Sequence, residues 1–345
     1  MKLKEILQGK KEFNIAYLGG SITEGAGASG DQFTYRSLVT SGLADRFPDV
    51  KFRQINAGIG GTGSGLGMFR LEYDVLSKQP DFVFIEFAVN DGDGKDAHVY
   101  MESIVRKLRR YRRELPVVFL YTLHSQMVEK FYRKGILPDA VKVHQAVAEY
   151  YAIPAVNMGK VLFEKLEAEQ CGPEKYLPDG VHPNDAGYKI YADTILQKLF
   201  EMDFSFAEKE PMQKEIYEDA HLVLAGNLEN GIWKKSHAIM CRRLDNYLYA
   251  YEPGAEFEFK FDGKIIGLYW TVEKDSGDII YRIDGGGEHT CSSWDKYANS
   301  FPRAHYCILK SNMAAGPHVL KIRISEQKNP QSEGHYIRIG AFLVG

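Results

Sequence analysis

The sequence has almost no excess of either charge. Its 43 Lys and Arg stand against 46 Asp and Glu, a net charge of -3, so it carries no electrostatic footprint for nucleic acid or an anionic membrane surface. A small neutral or weakly charged substrate suits such a surface better. Nowhere do about 18 apolar residues run together, and the amino-terminal MKLKEILQGKKEF is basic without an apolar stretch of signal-peptide length. The chain therefore reads as soluble and cytoplasmic, with no membrane partner. Cysteine is scarce as well: Cys171, Cys241, Cys291 and Cys307 have no CxxC or zinc-like spacing. They read as reduced structural thiols, with no metal site. Internal repeats and low-complexity tracts are missing too.

The chain does have enough apolar material for more than one core. It runs to 345 residues with 44% hydrophobic, which makes two domains the starting expectation. Up to about residue 204, strand-like and helix-like segments alternate. Strands are expected near 13–18, 51–56, 81–88, 116–122 and 153–156, with helices near 33–47, 64–78, 97–114 and 139–151. That alternation predicts an α/β unit over 1–204, a parallel sheet covered by helices on both faces. A last helix follows Pro183, capped by Asn184, with Tyr188, Ala192, Ile195, Leu196 and Leu199 on one face.

After DFSFAEKEPM (203–212) the periodicity changes to two. In AEFEFKF, Phe257, Phe259 and Phe261 share one face while Glu256, Glu258 and Lys260 share the other, and Leu320, Ile322 and Ile324 alternate likewise. Further runs at 264–271, 278–283, 304–309 and 336–343 predict an all-β sandwich, jelly-roll-like, over 205–345.

The chemistry-bearing residues gather where strands end. Phe13, Ile15, Tyr17 and Leu18 form a strand that Gly19 and Gly20 stop, delivering Ser21 at the sheet's carboxyl edge. On its own this is equally a turn whose serine caps a helix. A serine hydroxyl needs a neutral imidazole to take its proton, and the imidazole an orienting carboxylate. PDGVHP (178–183) supplies Asp179 and His182 three apart in a turn made rigid by Pro183. Asn90, in FIEFAVND, ends the third strand, where its side-chain N–H can donate to a developing oxyanion or merely cap a turn. The run NAGIGGTGSGLG (56–67) holds Gly58, Gly60 and Gly63 in G-x-G-x-x-G spacing, with Glu86 near where a ribose-binding acid would lie. Its rival reading is that Gly61 gives a backbone N–H to the same oxyanion as Asn90, its missing side chain leaving room for substrate.

Taken together, Ser21, Gly61, Asn90 and the Asp179/His182 pair follow the order and spacing of the SGNH, or GDSL, hydrolase family, which the chain resembles over roughly residues 10–202. The resemblance implies a flavodoxin-like three-layer α/β/α sheet, Ser21 as nucleophile, His182 as base and Asp179 as its acid. The N–H groups of Ser21 and Gly61 and the Asn90 amide would form the oxyanion hole, with no cofactor. Two departures stand out: Gly20 where the family has aspartate, and Ala88 where it has glycine. GGSIT resembles the branch rich in carbohydrate deacetylases. An all-β unit behind it resembles the carbohydrate-binding modules of some microbial hemicellulose acetylesterases.

The implied reaction is removal of O-acetyl groups from carbohydrates, such as mannan or xylan oligosaccharides, through an acyl-enzyme. Its rate would fall as pH drops through the range of an imidazole, about 6 to 7. Trp233, Trp270 and Trp294 all lie in the second unit, and Trp294, amid polar residues in SSWDKYANS, is expected to be exposed and to touch substrate. Glu24, Glu86, Asp91 and His124 are candidates to line the pocket. A lipase or thioesterase of the same mechanism, a non-catalytic sugar-binding protein and a dinucleotide enzyme built on the glycine loop are the alternatives, and homo-oligomerisation is left open.

Overall fold

Phe13, Ile15, Tyr17 and Leu18 are all buried, as a strand covered on both faces requires. In the computed structural model, which describes every residue except 207, 215, 229–231 and 239–245, they lie on β1 (Glu12–Gly19). Four more parallel strands join it: β2 (Lys51–Gly58), β3 (Phe82–Glu86), β4 (Val117–Tyr121) and β5 (Ala155–Asn157). Their order is β2-β1-β3-β4-β5. The chain leaves β1 toward one side and returns to its other side at β3, so the switch point, where such sheets hold their ligands, lies outside the carboxyl ends of β1 and β3.

The helices of this unit are α1 (Leu3–Leu7), α2 (Ser21–Glu24), α3 (Tyr35–Arg46), α4 (Ser64–Asp74), α5 (Ala97–Tyr111), α6 (Ser125–Lys130), α7 (Asp139–Tyr150), α8 (Met158–Glu169) and α9 (Asp185–Leu199). Helices α3, α8 and α9 pack together, as do α4, α5 and α7, giving the three layers. The Asn184 side chain caps α9 by accepting from Gly187 N at 3.0 Å. Helix α8 escaped the periodicity reading, although Asn157 caps it through Lys160 N at 2.8 Å and Leu162 and Leu166 are buried four apart.

The chain divides into the units Met1–Ile216 and Tyr217–Gly345, later than the expected break at 204/205. The reason is a long-range acceptor. The Glu102 carboxylate on α5 accepts the N–H of Met212 at 2.5 Å and of Gln213 at 2.9 Å, and Phe206 packs on the first core. Local composition cannot show this.

The second unit contains β6 (His221–Leu224), β7 (Lys234–Ser236), β8 (Tyr247–Ala250), β9 (Glu256–Asp262), β10 (Ile266–Val272), β11 (Asp278–Ile283), β12 (His289–Ser292), β13 (Arg303–Lys310), β14 (Pro317–Ile324) and β15 (Ile337–Val344). One antiparallel sheet runs β13-β10-β15-β8-β7, with β6 also on β15, and the other runs β12-β11-β14-β9. Phe257, Phe259 and Ile322 of one sheet and Leu268, Trp270 and Phe342 of the other belong to a single core, the sandwich arrangement. Trp294 corrects the sequence reading: it is 8% exposed and part of that core. Its polar neighbours report the surface of the turn after β12, while the indole enters the interior. Among the described residues, no helix is long and apolar enough to cross a membrane.

Buried Arg70 on α4 ties two strand ends together, donating to Ala57 O at 2.6 Å and Gly19 O at 2.9 Å while paired with Asp74 at 2.8 Å. Replacing it with Met strands Asp74 and the Ala57 carbonyl. Arg70→Met is expected to cost on the order of 3 kcal/mol, seen as a lower urea midpoint for the first unit.

Candidate active site

The glycine pair that ends β1 leads directly into α2, whose first residue is Ser21. A helix this short needs outside support, and it has it. Arg36, itself buried, donates to Thr23 O at 2.5 Å and Glu24 O at 3.1 Å, and the Tyr188 hydroxyl donates to Ala26 O at 2.7 Å. Below, the Thr23 hydroxyl donates to Glu86 at 3.0 Å and meets the Tyr35 hydroxyl at 2.8 Å. Ile22 and Thr23 are thereby buried and Ser21 is left half-exposed.

Its hydroxyl lies 2.8 Å from His182 Nε2, across 161 residues of chain. The other ring nitrogen, Nδ1, is 2.6 Å from Asp179 Oδ2. The turn between them is fixed by its own backbone: Asp179 Oδ1 accepts from Val181 N at 2.9 Å and His182 N at 2.7 Å. Ser125 N, at the start of α6, donates to Gly180 O at 2.7 Å, and Asn184 N to Tyr176 O at 2.9 Å. Partial burial works against ionisation of Asp179, but the hydrogen bonds from the His182 backbone and ring and from Val181 N–H outweigh it and hold the carboxyl down at about 2. Asp179 is therefore a carboxylate wherever the imidazole is neutral. With its proton on Nδ1, the ring donates to Asp179 and turns a lone pair on Nε2 toward Ser21.

Among the described residues, the backbone N–H groups of Ser21 and Gly61 have no hydrogen-bond acceptor. Ser21 N–H opens a helix and has no preceding turn to donate to; Gly61 N–H has no acceptor among the described residues. Gly61 is exposed with φ +70° and open space where a side chain would be, and its backbone conformation by itself calls for glycine. Asn90 sits half-buried in the turn after β3, its N–H bonded to Phe87 O at 2.9 Å. Gly20 explains its own departure from aspartate: a Cβ there would fall 2.0 Å from Asn90 Oδ1.

The remaining sequence candidates divide. Asp91 does not line a pocket. Its side chain is 7% exposed, 2.7 Å from the Nε2 of buried His144 on α7, and accepts Ser64 N at 2.8 Å. Glu24 accepts Gly60 N–H at 2.8 Å and so braces the loop that carries Gly61. Glu86 is 1% exposed and accepts the Thr122 hydroxyl at 2.7 Å besides that of Thr23; burial raises its pKa against those two hydrogen bonds. It is a brace under α2. These acids also count against the dinucleotide reading, since carboxylates already hold the Gly60 and Ser64 N–H groups. His124 is half-buried, adjoining the Ser125 that holds Gly180; burial first, then Lys130, lower its pKa. His144 was missed, because a histidine amid the apolar spacing of α7 gives no sign of an acid 53 positions away.

With this geometry in view, the comparison with known proteins is direct. The GDSL-like lipase/acylhydrolase family matches residues 17–190, just over half of the sequence. The chain belongs to that family. Membership makes it a carboxylic ester hydrolase. An acetylxylan esterase of Geobacillus stearothermophilus is 25% identical over 205 residues, 54% of this chain and 93% of that protein. In fold, the chain is similar to the crystal structure of a two-domain esterase active on acetylated mannans, co-crystallised with mannopentaose. That likeness has a TM-score of 0.84 and 24% identity, and it covers 99% of this chain and 92% of the other. The same esterase crystallised without the sugar gives the same TM-score.

Two outcomes follow for this GDSL-like hydrolase. Asp91→Ala leaves His144 and the α4 N-terminus without their acceptor and is expected to destabilise the first unit by about 2–4 kcal/mol in urea. Asp179, with a native pKa below its unfolded value of about 3.9, contributes stability above that value which is lost as pH falls toward about 2. The stability of Asp179→Asn should therefore fall less steeply than wild type between about pH 4 and pH 2, measured by urea titration at each pH.

Proposed function

We propose that this hydrolase is a carbohydrate O-acetylesterase working through a Ser21-His182-Asp179 triad. The observation that carries the reading is the unbroken chain from Ser21 Oγ through both nitrogens of His182 to Asp179. His182 Nε2 takes the Ser21 proton as the hydroxyl oxygen attacks the acetyl carbonyl carbon. Negative charge then grows on the carbonyl oxygen, where the N–H groups of Ser21 and Gly61 and the Asn90 amide donate to it. The tetrahedral adduct collapses as His182 returns the proton to the departing sugar hydroxyl. Water, deprotonated by the same nitrogen, then releases acetate and restores Ser21. Asp179 stays ionised throughout, stabilising the imidazolium.

Acetylated mannan- or xylan-type oligosaccharides are the proposed substrates. The sequence relative is an acetylxylan esterase and the two-domain structural relative acts on acetylated mannans. The sequence has no apolar lid-like segment beside its glycine-rich loops to receive a long acyl chain.

Mass-spectrometric loss of acetyl groups from mixed acetylated manno- and xylo-oligosaccharides tests this. Wild type should release acetate and Ser21→Ala should fall at least about 10³-fold. Gly20→Ala, which drives a methyl group into Asn90, should lower kcat by about 10²-fold with little change in KM if Asn90 donates only to the transition state. Hydrolysis confined to long acyl esters would overturn the sugar assignment, and full activity of Ser21→Ala would overturn the triad.

A further inference from the structure

Two cysteines of the second unit meet where its two sheets come to a common edge. Strand β12 is the edge of one sheet and β13 the edge of the other, with residues 293–302 crossing between them. The register shows which way each cysteine points. Cys291 lies opposite Ile279 on β11, and Cys307 opposite Leu268 on β10; cross-strand partners share a face of their sheet. Ile279 and Leu268 are both fully buried in the core, so the two thiols turn inward from opposite sheets.

Facing sheets normally stand about 10 Å apart, more than the 4.4–6.8 Å between Cα atoms that a disulfide tolerates. Here the edges converge. The Tyr281 hydroxyl of β11 donates across to Leu309 O of β13 at 3.0 Å, and the Sγ atoms of Cys291 and Cys307 are 2.9 Å apart. Neither cysteine is fully buried, so a small oxidant has access. Cys171, by contrast, lies in the first unit with its thiol against Leu166 O, and Cys241 lies outside the described residues.

We propose that Cys291 and Cys307 are a cystine-forming site, oxidised by a small-molecule disulfide such as oxidised glutathione to a bond that staples the sandwich at this edge. The Cys291 thiol donates toward Cys307 and lowers its pKa, while the same contact and burial raise that of Cys291. A Cys307 thiolate is thus held by the neighbouring Cys291 S–H. It attacks one sulfur of the oxidant, which leaves as a thiolate, giving a mixed disulfide on Cys307. Cys291 then loses its proton and attacks Cys307 Sγ, expelling the second thiol. Two protein thiols lose two electrons and two protons, and the oxidant becomes two thiols.

The test uses the full-length chain. It is equilibrated with oxidised glutathione, quenched with iodoacetamide and analysed by intact mass and peptide mapping, alongside thermal unfolding. The expected result is one cross-linked peptide joining Cys291 to Cys307, two hydrogens lighter and without carbamidomethyl groups. The second unit's unfolding midpoint should rise by about 5 °C or more, a gain reversed by reductant and absent from Cys291→Ser and Cys307→Ala. Ester hydrolysis should not change in either state. Complete alkylation of both cysteines after oxidation, stable separate glutathione adducts on each, or a cross-link from either to Cys171 or Cys241 would overturn the proposal.

Discussion

The carboxyl edge of a parallel sheet is a row of chain reversals whose carbonyls have left the strand ladder and must find donors elsewhere. In this protein two buried guanidinium groups meet much of that need. Arg70 reaches Gly19 and Ala57 at the ends of β1 and β2, and Arg36 reaches Thr23 and Glu24 just beyond. Ser21 lies between those anchor points. Each arginine has its own carboxylate, Asp74 for Arg70 and Asp31 for Arg36, so neither charge is stranded. The backbone around Ser21 is held by charges buried beneath it, and the Ser21 hydroxyl lies 2.8 Å from His182 Nε2.

A second layer of polar groups repeats the pattern. Glu86 receives hydroxyls from Thr23 and Thr122, binding α2 to the ends of β3 and β4. Asp91 joins the start of α4 to His144, and Glu24 holds the Gly60 backbone. All are acids at or shortly after strand ends, where a pocket-lining role is the natural reading from sequence. What separates a brace from a contact is burial and the identity of the partner, and the partners lie tens of residues away. Only Asp179 could be assigned its partner locally, because an acid three residues before a histidine in a proline-stiffened turn closes back on the ring.

The second unit shows the same division on a larger scale. Alternation in 256–262 and 317–324 appears as alternating burial of β9 and alternate core residues in β14. The short strands β6, β7, β8 and β12 gave no comparable signal, being too brief for a period of two to stand out. Trp294 misled for a different reason. Its neighbours are polar because the turn is exposed, and polarity of neighbours does not say which way one indole points.

By itself the sequence determined the α/β-then-β architecture, the parallel sheet, the cap of α9 and the family, because these rest on periodicity, turn chemistry and short motifs that each stretch carries within itself. Tertiary structure alone decided that Gly20 complements Asn90, that Asp91 and Glu86 are braces, that Trp294 is core and that Met212 and Gln213 stay with the first unit through Glu102. Each of those is a matter of close approach or desolvation between distant segments. No local pattern encodes that, since the free energy involved arises only when the segments meet.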